Sequence, residues 1–145
     1  MSAPPGGAGL ARQRMVKSGN FATRSAGAGG MQLVPSWSSD AAAPATISSN
    51  KLVVAGAMVG ATVRATVEVS DGNPGRLSCR LMVDGVQVAA AEQPTTSSST
   101  PVSLSATVNL TAGALVHLEA YSITLSSFQE RTIKATTTFL EVAPV

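Results

Sequence analysis

From Val102 to Leu110 the chain alternates without a break. Val102, Leu104, Ala106, Val108 and Leu110 fall on one side, and Ser103, Ser105, Thr107 and Asn109 on the other. A period of two sends successive side chains to opposite faces of a strand, so only a half-buried strand gathers such a set into one core. The same grammar runs through most of the sequence after Met31. "GATVRATVEVS" sets Val63, Ala65, Val67 and Val69 against Thr62, Arg64, Thr66 and Glu68. "RLSCRLMV" turns Leu77, Cys79, Leu81 and Val83 inward, and Asp84-Gly85 then joins it to a return strand, "VQVAAAEQ", as a tight hairpin. After Thr111-Ala112-Gly113 the next strand offers Val116, Leu118 and Ala120 to the core, which leaves His117, Glu119 and Tyr121 on the opposite face. "MQLVPSW" reads as a short strand stopped by Pro35, "KLVVA" as another, and "ERTIKATTTFLEVAPV" as the last. No stretch has helical periodicity. Some eight strands at short spacing predict an all-β fold, an antiparallel jelly roll or β-sandwich.

The first 30 residues break this pattern. They hold more than half of the chain's 13 glycines and four basic residues, Arg12, Arg14, Lys17 and Arg24, with no acid. The remaining 115 carry six basic residues and eight acids, a balance of −2 beside the segment's +4, which sum to the net +2. Such a segment cannot build a core of its own. The expectation is therefore an extended basic arm over residues 1–30 and a β-sandwich body over 31–145. Arg12, Arg14, Lys17, Phe21 and Arg24 would be the arm's docking residues, with Trp37 as an anchor near the junction. Four charges among Gly and Ala do not make a nucleic-acid surface.

Of all residues, 12% are charged and 3% aromatic, so the surface is coated with hydroxyls and methyls. That suits contact with other protein better than solitary life, and predicts a homo-oligomer or an assembly component. Cys79 stands alone and in phase with Leu77 and Leu81, which predicts a buried thiol and no internal disulfide. Nothing in the first residues resembles a secretory leader, and no run approaches the 18 or so apolar residues of a spanning helix.

Catalysis finds little to work with. The one histidine, His117, has no Gly-x-Ser-x-Gly partner motif and no paired metal-ligand spacing, and reads as a surface residue on a strand. The glycine-rich stretches lack the Gly-Lys-Ser/Thr ending of a phosphate loop, and "SDGNPG" is a turn. We expect no enzyme activity, no cofactor and no metal.

Four pieces resemble the C1q/tumour-necrosis-factor-like jelly roll found in virion proteins of tailed bacteriophages. "VGATVRATVEVS" is similar to the family's central "G-x-Y-x-hydrophobic-S" strand, and "RLMVDGVQVAAA" to its "L-x-V-N-G-x-x-V" hairpin. "VSLSATVNLTAGALVHLEAY" resembles the "S-x-S-x-x-V-x-L-x-x-G-D-x-V-x-L" hairpin, and "TTTFLEVAPV" the closing strand. The sequence departs from the family at the first aromatic, where Thr62 or Val63 stands, and at the Asp after the turn glycine, where Ala114 stands. The resemblance implies a non-enzymatic module that trimerises or packs on neighbours. It implies a structural protein of the virion, assembled in the host cytoplasm. Minor tail or tail-tip subunit is the first expectation, and capsid decoration or a carbohydrate- or receptor-binding module, acting through loops such as 94–101 and 125–130, the alternatives. Partners would be other virion proteins, sister subunits and a host-surface glycan.

Overall fold

The computed structural model describes residues 11–23, 31–70, 75–95, 101–124, 131–135 and 137–145. Fourteen strands account for about two thirds of them: β1 Gln13–Lys17, β2 Phe21–Thr23, β3 Gln32–Leu33, β4 Trp37–Ser39, β5 Thr46–Ser48, β6 Lys51–Val53 and β7 Met58–Val67. The second half adds β8 Val69–Ser70, β9 Gly75–Val83, β10 Val86–Thr95, β11 Val102–Leu110, β12 Leu115–Thr124, β13 Arg131–Ile133 and β14 Phe139–Ala143.

Two antiparallel sheets face each other. One has the order β11-β7-β14-β1-β4 and the other β10-β9-β12-β6-β5, with β3 added beside β12. Neighbours in a sheet are mostly distant in sequence, which is the signature of a jelly roll rather than a meander. A small sheet, β2-β13-β8, completes the strand set.

The alternating rows meet between the two large sheets. Register aligns Met15, Leu140, Ala65 and Leu104 across one sheet. Leu77, Cys79, Leu81, Val116, Leu118 and Ala120, all inaccessible, supply the other. Burial of each large aliphatic side chain contributes about 1.5–3 kcal/mol. Cys79 lies in this core, and burial pushes its thiol up to about 12, which makes it inert at neutral pH.

The turns behave as their residues dictate. Asp84 and Gly85 both adopt positive φ (49° and 80°), the requirement of a two-residue hairpin between β9 and β10. Gly113, at φ 83°, closes the turn before β12. Its N–H donates to the Val54 carbonyl and the Ala114 carbonyl accepts from Val54 N–H, at 2.8 and 2.9 Å. Ala114 itself is 3% exposed. Backbone bonding to Val54 thus ties this turn to the chain after β6, and the small Ala114 side chain is buried there.

Three expectations are corrected. The arm is not separate from the body over residues 13–23: β1 is an inner strand between β14 and β4, and β2 pairs β13. Alternation concealed β1 because its inward residues are Gln13, Met15 and Lys17, two of them polar. Gln13 is satisfied inside by donating to the Val53 carbonyl (3.1 Å) and accepting from Ala55 N–H (3.0 Å). Next, the single strand expected over 60–70 breaks at Glu68, and the last strand divides at residues 134–138. In both places the chain passes between a large sheet and the small one, where Ile133 pairs Val69. Finally, His117 is not a surface residue but 5% exposed, because the outward face of β12 is covered at that point, as the buried Met82 opposite it also shows.

Candidate functional site

The largest concentration of charge lies on the outer face of the five-stranded sheet. Register lines up four outward side chains across four strands: Arg14 on β1, Glu141 on β14, Arg64 on β7 and Ser105 on β11. The adjoining row reads Val16, Phe139, Thr66 and Ser103. Directly opposed side chains stand about 5 Å apart, so each row is a line of contacts.

Glu141 is the hub. Its Oε1 accepts from Arg14 Nε (2.9 Å) and Nη2 (2.7 Å), with Arg12 Nε at 3.4 Å, and its Oε2 accepts from Arg64 Nε at 2.7 Å. The carboxylate side chain is 3% exposed, whereas those of Arg64 and Arg12 are 45% and 50% exposed. Burial pushes the Glu141 carboxyl up, but the hydrogen bonds and charges of Arg64 and Arg14 outweigh it and hold the group below the usual carboxylate range. The Phe139 ring lies between the same two arginines, 4.1 Å from the Arg14 guanidinium carbon and 5.3 Å from that of Arg64. Beside Arg64 a shallow cleft of about 270 Å³ is lined by Thr66, Ser103 and Ser105.

The expected interface residues therefore serve this chain first. Arg12 and Arg14 pair with its own Glu141. Phe21 packs half-buried against the core. Trp37 is 9% exposed, a core residue whose Nε1 donates to the Val34 carbonyl at 2.7 Å, not a free anchor. Arg24 lies outside the described residues, as do 96–100 and 125–130 of the expected binding loops. Lys17 is inaccessible: its Nζ donates to the carbonyls of Gly19 (2.5 Å) and Ser36 (3.2 Å), 5.8 Å from the centre of the Trp37 ring. Burial lowers its pKa to about 8. Sequence reasoning missed Arg64, Phe139 and Glu141. Their outward phase was available from alternation, but the register that joins three distant strands was not.

A second charged line crosses the six-stranded sheet, where Glu119 accepts from Arg80 (2.6 Å) and lies 2.8 Å from His117 Nε2. The His117 Nδ1 is buried without a hydrogen-bond partner.

No family model and no curated protein matches the sequence. Among solved structures the chain is similar to Eiger TNF from S. frugiperda, with TM-score 0.69 and 11% identity. The match covers 94% of this chain and 92% of that one. At this identity the likeness shows the fold, a jelly roll of the TNF/C1q type.

Proposed function

We propose that the chain is a non-enzymatic structural subunit of a tailed-phage virion, packing with sister copies as a trimer, and that its place is the tail or tail tip. One observation carries the structural reading: a complete jelly roll whose edge strand β11, nine residues long, presents only Ser, Thr and Asn to solvent and not a single charge. An uncharged edge of that length invites aggregation unless other protein covers it. The phage assignment is supported by the four sequence motifs, and the trimer by the fold class they belong to.

The test is to raise antibodies to the purified chain and label intact particles for electron microscopy. Label at the tail supports the reading, label over the head moves the protein to capsid decoration, and particles free of the protein overturn it. Light scattering on the purified chain measures assembly separately, with three copies expected and a monomer at micromolar concentration counting against the trimer.

A further inference from the structure

The geometry points to a carboxylate-binding cleft on the outer face of the five-stranded sheet, built to take acidic side chains of an extended partner segment. The charge count is the first reason. Three guanidinium groups, Arg12, Arg14 and Arg64, share one carboxylate, Glu141, which leaves a surplus of two positive charges. Glu141 is already saturated and shielded, so it neutralises no more. Arg64 gives its Nε to Glu141 while its side chain stays 45% exposed, so its terminal nitrogens are placed to take a further acceptor from solvent.

The second reason is the company those nitrogens keep. The cleft of about 270 Å³ beside Arg64 is lined by the hydroxyls of Thr66, Ser103 and Ser105. A planar cation flanked by hydroxyl donors is the complement of an oxyanion, and Arg matches a carboxylate in bidentate fashion. The base of the site is stiff. Phe139 backs two of the arginines and Glu141 fixes their Nε atoms, so little side-chain freedom remains to be lost on binding.

Two alternatives fit less well. A lone small anion at a guanidinium that is 45% exposed remains hydrated and screened, and is held weakly. Arg14 and Arg64 reach the one Glu141 carboxylate from the strands on either side of it, and carboxylates two residues apart on one face of an extended peptide, about 7 Å, can bridge the pair together. Nucleic acid needs a stacking face, and the Phe139 ring lies between the two arginines instead. The cleft shares Ser103 and Ser105 with β11, so the site requires that assembly cover the edge of that strand and leave this outer face open.

The experiment titrates full-length protein into fluorescein-labelled hexaglutamate at low ionic strength and reads anisotropy. Arg64→Gln is expected to weaken binding about tenfold, in line with the loss of one charge-assisted bidentate contact. Ser105→Glu changes an exposed residue and places a carboxylate in the cleft. It is expected to abolish binding while the unfolding temperature stays unchanged, which keeps the test sound if Arg64→Gln loses its fold. Competition by inorganic sulfate is expected only at concentrations at least about a hundredfold higher. Hexaglutamate affinity unaltered in both variants overturns the proposal. Sulfate competing at the peptide's own concentration overturns the peptide assignment, as does tighter, Arg64-dependent binding of an oligothymidylate of equal charge.

Discussion

At the scale of single residues, two buried charges pull stability in opposite directions with pH. Glu141 has its pKa held below the ordinary carboxylate value of about 4.3 by Arg64 and Arg14. Its contribution is therefore complete above that value and drains away as pH falls through the folded pKa. Glu141→Gln is expected to lose about 3 kcal/mol at pH 7, the usual result of breaking a buried ion pair. Its unfolding temperature should then fall less steeply than the parent's below pH 4, and parallel curves from pH 7 to pH 3 would contradict this. Lys17 works the other way. Its folded pKa, about 8, lies below the unfolded value, so the buried ammonium penalises the fold at neutral pH. The penalty is relieved as pH rises from 8 towards about 10.4, because the unfolded chain there binds the extra proton. Lys17→Met keeps the side chain's volume, and we expect it to stabilise by about 1 kcal/mol at pH 7 with no gain left at pH 10. Denaturant titrations at the two pH values measure both effects. Neither residue's role was legible in sequence. Arg14 and Lys17 read as docking residues of an extended arm, and only three-dimensional register shows that one faces a carboxylate and the other the core.

At the scale of elements, alternation and turn chemistry were legible where a strand's inner row is apolar throughout. The runs in β7, β9, β11 and β12 bury most of the residues their period assigns, with Val83, Ala106 and Val108 half-buried. Ile47 lies in a short strand, β5. Periodicity failed for β1, where polar inward residues are satisfied by carbonyls of other strands, and at Glu68, where tertiary pairing splits a regular run. It also assigned His117 a face without saying whether that face is covered. The β9–β10 hairpin shows what a turn residue does beyond turning the chain. Asp84 N–H donates to the Leu115 carbonyl, and Leu115 N–H donates back to Asp84 Oδ1, both at 2.9 Å. The tip is thereby pinned to β12. Asn both tolerates the left-handed conformation and keeps the oxygen acceptor, whereas Ala does neither. Asp84→Asn is expected to shift stability by under about 0.5 kcal/mol, and Asp84→Ala to reduce it by about 2 kcal/mol. Equal effects of the two in chemical denaturation would show that the pin contributes nothing.

At the scale of the whole molecule, the consequence lies with the N-terminal segment. A docking arm is dispensable to the fold, and an inner strand is not. β1 hydrogen-bonds on both sides, to β14 and to β4, and carries Met15, which is wholly inaccessible, into the core. Removing residues 2–30 would strip β4 from its sheet, open one edge of β14 and leave Leu140 without Met15, one of its two cross-strand partners. The deletion is accordingly expected to abolish cooperative unfolding, observed as loss of the thermal transition. A graded version of the same argument is Met15→Ala, which empties one core site and should cost about 2–5 kcal/mol while leaving the transition cooperative. A truncated protein that still melts cooperatively would show that the sandwich closes without β1. In that case the basic segment would again be a candidate for docking outside the chain. If the transition is lost, its arginines are to be tested by point substitution within the intact fold, where the surplus charge beside Glu141 can be varied without taking the sheet apart.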